Sequence, residues 1–179
     1  MTDHSQTRLW LMRAGFGFLV MVVLFFQLLP LQMVPRNWTG PDLVLGFACA
    51  WCLRRPEYVP AWSLAGLFLL TDLLLQRPPG LWALLALMGC ENLKVRGRSL
   101  RDGGFATEWL TVCVVVIAIT LANRVILALV LVPLPTLTLT LSELVTTLLL
   151  YPLMVLVTYG LMGVRRAAPG ELDAVGQRI

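Results

Sequence analysis

Three long, predominantly apolar runs limit the folds open to this chain. They cover Ala14–Val34, Trp109–Val132 and Leu141–Val164, and each reaches the length of about 20 residues that a helix needs to cross a bilayer core. Of the 179 residues, 58% are hydrophobic and only 13% are charged, whereas soluble domains average about 45–50% apolar and about 25% charged. We therefore predict an all-α integral membrane protein.

Proline, glycine and charged residues divide the rest of the chain into further segments. We predict six transmembrane helices, at about Trp10–Val34, Pro41–Leu53, Pro60–Leu75, Leu81–Leu93, Trp109–Val132 and Leu141–Val164. The second and fourth are short, since at about 1.5 Å per residue they cover only about 20 Å of a core about 30 Å thick. Local thinning of the bilayer or partner helices would have to accommodate them. The predicted membrane domain, 10–164, lies between the tails 1–9 and 165–179.

The basic residues orient the predicted helices. With six crossings and the N-terminus inside, 11 of the 14 Lys and Arg residues fall on the cytoplasmic side, as the positive-inside rule requires. Arg36 and Arg77 then lie in outer loops and Arg124 within a span. The prediction is a multi-pass protein of the cytoplasmic membrane with both termini in the cytoplasm.

Several functional classes are excluded by what the sequence lacks. The net charge of +4 comes without a Lys/Arg run long enough to follow a phosphate backbone, so we predict no nucleic-acid partner. The single histidine, His4, lies near the N-terminus, and no P-loop, H-E-x-x-H or G-x-S-x-G motif is present. We predict no enzyme activity, no metal and no cofactor.

Ionisable residues within spans carry the most information, because they are costly in lipid unless paired or hydrated. Four of them have structural explanations. Thr39-x-x-Asp42 and Thr140-x-x-Glu143 fit capping boxes in the first turn of a helix. Glu91 can pair with Lys94 three residues later, and Glu108 begins the fifth span, where interfacial water would solvate it.

Asp72 and Arg124 are harder to explain in this way. Both lie deep in predicted spans, and Arg124 follows Asn123 in the fifth. The guanidinium cannot lose its proton to reduce the cost of burial. We predict that Arg124 pairs inside the bundle with Asp72, or failing that with Glu143; without either carboxylate it would face a partner, a lipid headgroup or a water-filled pocket.

Cys49-Ala-Trp-Cys52 matches the C-x-x-C pattern of thiol oxidoreductases. A redox site needs an accessible thiolate of low pKa, whereas these cysteines lie inside an apolar run. We therefore interpret both cysteines as small buried helix residues. A membrane thiol oxidoreductase that uses Cys49 and Cys52 is the competing functional hypothesis.

An ordered set of residues in the central third resembles a known family. Pro41-Asp-Leu-Val, then the stretch containing Pro56, and then Asp72 followed by Pro78-Pro-Gly80 are similar to the rod shape-determining protein MreD family, and to its alphaproteobacterial members in particular. The resemblance covers about residues 41–98. The family's third-span aspartate falls on Asp72, and its outer turn on Pro78 and Gly80.

The resemblance implies a non-enzymatic scaffold of the bacterial elongation complex, which organises lateral peptidoglycan synthesis and cell shape. The implied partner is MreC. The resemblance also implies association with MreB, RodA and the elongation penicillin-binding transpeptidase. The basic stretch Lys94–Arg101 could contact membrane lipid or MreB filaments, or only set orientation. The implied fold resembles the S components of energy-coupling-factor transporters, which makes a small-molecule-binding transporter subunit the alternative function.

Overall fold

The structure is a computed structural model that describes residues 3–29, 39–97 and 104–162. These ranges form six α-helices and one short 3-10 turn, without a β-strand. The helices are α1 (Asp3–Leu28), α2 (Leu43–Arg54), α3 (Ala61–Leu74), α4 (Leu81–Gly97), α5 (Phe105–Leu129) and α6 (Leu137–Met162), with the 3-10 turn at Pro56–Tyr58 between α2 and α3. The all-helical prediction is confirmed.

Some predicted features lie outside the described residues. They include the end of the first predicted span after residue 29, the charges Arg36, Arg98 and Arg101, and the C-terminal tail with Arg165, Arg166 and Arg178.

Among the described helices, three are long and apolar enough to cross a membrane, at Gln6–Leu28, Phe105–Leu129 and Leu137–Gly160. Large apolar side chains stand exposed on all three, including Phe18, Leu121 and Leu149. Such a surface is suited to lipid, because soluble proteins rarely expose contiguous apolar patches of this kind.

The predicted helix boundaries shift for local reasons. α3 ends at Leu74 because Gln76 adopts a left-handed conformation, with φ of 54°. The amides of Gln76 and Arg77 then donate to the carbonyls of Leu73 and Asp72 at 3.4 and 3.0 Å, which is the hydrogen-bond pattern of a Schellman cap. α5 ends in the same way, with Leu131 at a φ of 57°.

The short helix α2 occupies the centre of the bundle. All nine residues from Val44 to Cys52 are buried, as expected of a helix that is apolar all round. It packs against α1, α4 and α6, while α3 packs on α1 and α4, and α5 on α4 and α6. Because neighbouring helices enclose it, α2 does not need to match the thickness of a bilayer by itself.

One close approach brings α2 against α6. A Cβ placed on Gly46 would overlap the sulfur and methyl group of Met154, so this side chain can lie against the α2 backbone only because residue 46 is a glycine. Small residues at such contacts let helix backbones approach closely in lipid.

Successive helices run in opposite directions. α2, α4 and α6 begin at one end of the bundle, which we call the Asp42 end, and α1, α3 and α5 begin at the other, the Arg54 end. The polar groups gather at these two ends.

Candidate functional site

The first polar cluster forms at the Asp42 end around Arg77. Its Nη1 donates to Asp42 Oδ2 at 3.3 Å and its Nη2 donates to Glu143 Oε1 at 3.1 Å, and its guanidinium stacks over the Trp82 ring at 5.0 Å. The Schellman cap of α3 aims the Arg77 backbone at this position. One arginine thus joins α2, α4 and α6 to the turn between α3 and α4.

The charge state of Arg77 follows from these neighbours. Burial alone would lower the pKa of Arg77, but the carboxylates of Asp42 and Glu143 outweigh it and raise the pKa above its ordinary value. The guanidinium therefore stays charged, and it forms ion pairs with both carboxylates at once.

Asp42 is the residue that caps α2. Its Oδ1 accepts the Leu45 amide at 3.0 Å, and its own amide donates to Thr147 Oγ1 of α6 at 2.8 Å. The predicted capping role is confirmed, although Asp42 is the N-cap itself rather than the third residue of a box begun by Thr39.

The capping role predicted for Glu143 is wrong. α6 begins at Leu137, so Glu143 lies beyond the first turn and its carboxylate binds Arg77 instead. The sequence prediction missed Arg77 because a cation in a proline-flanked turn was interpreted as a loop charge. The available signal was that the predicted topology puts both carboxylates and the outer-loop residue Arg77 on the same side of the membrane.

The predicted pair of Asp72 and Arg124 is also wrong. Asp72 is fully buried, and its Oδ2 accepts the amides of Gly80 and Ala83 at 3.0 and 3.1 Å. Gly80, with a φ of +90°, has no side chain with which to cap α4, and Asp72 supplies that cap from the neighbouring helix. A carboxylate placed there also complements the helix dipole.

Arg124 meets neutral oxygens instead of a carboxylate. Its Nη1 donates to the Pro135 carbonyl at 3.2 Å and to Thr140 Oγ1 at 2.7 Å. Among the residues that the structure describes, neither Asp72 nor Glu143 forms an ion pair with Arg124, so its second predicted partner is wrong as well. Without a carboxylate partner, Arg124 was expected to face a partner, a lipid headgroup or a water-filled pocket. In the structure it faces a pocket.

That pocket is a cavity of about 260 Å³ at the Asp42 end, which we call the Arg124 cavity. The turns α3–α4 and α5–α6 border it, and helices α2, α4, α5 and α6 form its walls. Its lining contains the polar side chains Asp42, Gln76, Arg77, Thr120, Asn123, Arg124, Thr140, Glu143 and Thr147, together with Trp82. Of the predicted site residues, Asp42, Asn123, Arg124 and Glu143 are therefore brought together, while Asp72 is not among the lining residues.

The residues of the family motif lie in turns or next to helix caps. Pro41 immediately precedes the Asp42 cap, Pro56 begins the 3-10 turn, and Pro78 and Gly80 form the turn that Asp72 supports. Pro78 also lines the Arg124 cavity.

The second polar cluster lies at the Arg54 end. Arg54 donates through Nε and Nη2 to the two oxygens of Glu108 at 3.2 and 3.3 Å, and the Tyr151 hydroxyl donates to Glu108 Oε1 at 2.9 Å. Glu108 is 1% exposed, so its predicted solvation by interfacial water is wrong. Burial of a carboxylate at this point is compensated by a bidentate guanidinium.

Basic residues also tie the 3-10 turn to its neighbours at this end. Arg13 donates to the Glu57 carbonyl at 3.3 Å, and Lys94 donates to Glu91 Oε1 at 2.6 Å as well as to the Val59 carbonyl. The predicted pairing of Glu91 with Lys94 is confirmed.

The cysteines of the C-x-x-C pattern are buried and free in the core of α2. Cys90 of α4 is also buried and free. The described residues contain no group of three or more His, Cys, Asp or Glu side chains arranged to hold a metal ion.

Comparison of the chain with protein-family models, with curated proteins and with solved structures finds no match.

Proposed function

We propose that this chain is a scaffold of the MreD kind in the bacterial elongation complex, which binds the transmembrane helix of MreC. The resemblance over residues 41–98 supports this proposal. The observation that carries it is that motif residues of this stretch act together: Asp72 caps α4 across the Pro78–Gly80 turn, while Pro41 leads into the Asp42 cap of α2. These residues shape the middle of the bundle and assemble no reacting group.

The proposed topology is six crossings of the inner membrane with both termini in the cytoplasm, in a fold like that of the S components. Alternating helix directions support it. Arg13, Arg54, Arg55 and Lys94 also meet at the Arg54 end, which is the cytoplasmic end in this topology.

A groove between α4 and α5 is the place we propose for the MreC helix. It is lined by Leu85, Met88, Gly89, Asn92, Arg96, Leu110, Thr111, Val114, Val115, Ala118, Ile119 and Ala122. Ala118 and Ala122 of α5 give it a small-residue surface, which lets a helix pack closely in lipid. A single-span partner of apolar sequence fits this surface better than a globular one does.

Co-purification with MreC in mild detergent tests the proposal. Ala118→Trp fills the groove and should reduce MreC recovery, whereas Ile117→Trp, on an exposed apolar position outside the groove, should not. Full recovery with Ala118→Trp would exclude the groove. Failure of the unmodified chain to recover MreC would exclude the scaffold function itself. MreB, RodA and the transpeptidase should accompany MreC in the same preparation.

The Arg124 cavity favours a second candidate function, a small-molecule-binding subunit of a transporter. Such a subunit needs several convergent polar side chains within the membrane domain, and the cavity provides them. Thermal stabilisation by a vitamin, without recovery of MreC, would favour this candidate over the scaffold.

A further inference from the structure

The Arg124 cavity has the dimensions of a small site. Ligand pockets commonly measure about 300–1,000 Å³, and this one measures about 260 Å³. It therefore suits an amino-acid-sized molecule or the headgroup of a lipid, and it is too small for a large cofactor.

Arg124 provides an unused set of donors in this cavity. Its two hydrogen bonds both leave from Nη1, and within the described residues its Nε and Nη2 groups have no acceptor. A guanidinium keeps its charge in proteins, and its planar fork matches the oxygens of a phosphate or carboxylate.

The opposite charge is present nearby. Asp42 and Glu143 share the single guanidinium of Arg77, so this cluster carries one surplus negative charge. Thr140, which contacts Arg124, precedes Glu143 by three residues on α6. Because Thr140 and Glu143 lie about one helical turn apart on α6, Arg124 contacts this wall of the cavity close to Glu143.

We propose that the Arg124 cavity binds a zwitterionic group, with its oxyanion on Arg124 and its primary ammonium beside Glu143. The four ionised side chains of the cavity sum to zero, so a purely anionic ligand would meet repulsion from Asp42 and Glu143. A zwitterion offers a negative group to Arg124 and a positive group to the surplus carboxylate charge at Glu143. This inference concerns the cavity alone and does not depend on the proposed binding of MreC.

Two sources carry this chemistry, the headgroup of phosphatidylethanolamine and a free phosphodiester zwitterion such as glycerophosphoethanolamine. Binding of both to the purified, detergent-solubilised full chain can be measured by native mass spectrometry, with phosphatidylglycerol as the anionic comparison. Binding of the lipid alone identifies a membrane source, and binding of free glycerophosphoethanolamine identifies a soluble one. Preference for phosphatidylglycerol, or binding of neither zwitterion, would overturn the proposal.

Matched variants locate the binding. Arg124→Gln and Glu143→Gln should each weaken it about 10-fold to 100-fold, as expected for loss of a charged hydrogen bond, and Arg124→Lys should retain part of it. Arg8→Gln removes an exposed cation of α1 that lines neither the cavity nor the groove and should leave affinity unchanged. Equal affinity in all four variants would overturn the proposal. MreC recovery by Arg124→Gln, measured in parallel, keeps this test separate from that of the scaffold function.

Discussion

The indole N–H of Trp109 donates to the carbonyl oxygen of Leu148 at 3.0 Å. Pro152, four residues after Leu148 and inside α6, has no N–H with which to satisfy that carbonyl. A side chain of α5 thus replaces the backbone donor that α6 lacks.

Trp109→Phe should lower the free energy of unfolding by about 0.5–1.5 kcal/mol, the usual net worth of one hydrogen bond. In a Pro152→Ala background the loss should shrink, because residue 152 then supplies the missing N–H. A denaturant titration in bicelles measures both. Trp62→Phe, at an exposed tryptophan, is the control, and equal losses in the two backgrounds would contradict this explanation.

Arg77→Gln should destabilise the chain by about 2–3 kcal/mol. Breaking a fully buried ion pair costs about 3–5 kcal/mol, and the Arg77 side chain is 28% exposed. Adding Glu143→Gln should recover part of the loss, since it removes one of the two unpaired carboxylates. Arg8→Gln, at an exposed position of α1, provides a surface reference. If the double variant is less stable than Arg77→Gln, the two side chains do not act as a pair.

Asp72→Ala should cost about 1–2 kcal/mol through loss of the α4 cap, and Asp72→Asn should cost less because the amide oxygen still accepts. Combining Asp72→Asn with Arg124→Gln should give additive losses, within about 0.5 kcal/mol. Unfolding titrations of the single and double variants provide the comparison. A coupling energy well above that margin would restore the ion pair that the structure does not contain.

Gly46→Ala should destabilise the bundle by about 1 kcal/mol, the low end of the range for overpacking, because its methyl group would force the flexible Met154 side chain to move. Gly66→Ala should instead be neutral or stabilising by up to about 1 kcal/mol, since nothing lies within 4 Å of its added carbon. In a Met154→Ala background, the penalty at Gly46 should fall. A penalty that remains unchanged there would assign the effect to another contact.

Reporter fusions test the proposed topology. A fusion at Gly80 should report the outer compartment and one at Val175 the cytoplasm, because the basic residues lie predominantly on one side. The same compartment for both positions would rule out six crossings with the N-terminus inside.

Helix identity followed from the sequence, since the long apolar runs leave few alternatives to α5 and α6. The sequence did not reveal which charged residues pair with one another. Asp72 and Arg124 lie at similar predicted depths, but depth along a helix says nothing about which face it presents or where a turn directs Arg77. The role of Asp72 depends on the rotation of α3 relative to the start of α4, and that rotation is a property of the packed bundle.

Glu108 illustrates the same limit. Its position near the start of a span predicts hydration, yet Arg54 and Tyr151 approach it from α2 and α6 and exclude water. Arg54 is 54 positions and Tyr151 is 43 positions from Glu108 along the chain. No local sequence pattern therefore identifies them as its partners.

The enclosure of α2 has a consequence for the order in which the protein is made. When the ribosome has completed α2, neither Glu108 nor Glu143 exists, so Arg54 lacks its partner and Asp42 lacks its link to α6. A twelve-residue segment with charges at both ends is a poor substrate for independent membrane insertion. We therefore expect its position to be fixed only after α6 has been synthesised, and a chain truncated before α5 should be degraded faster than the full chain in a pulse-chase measurement.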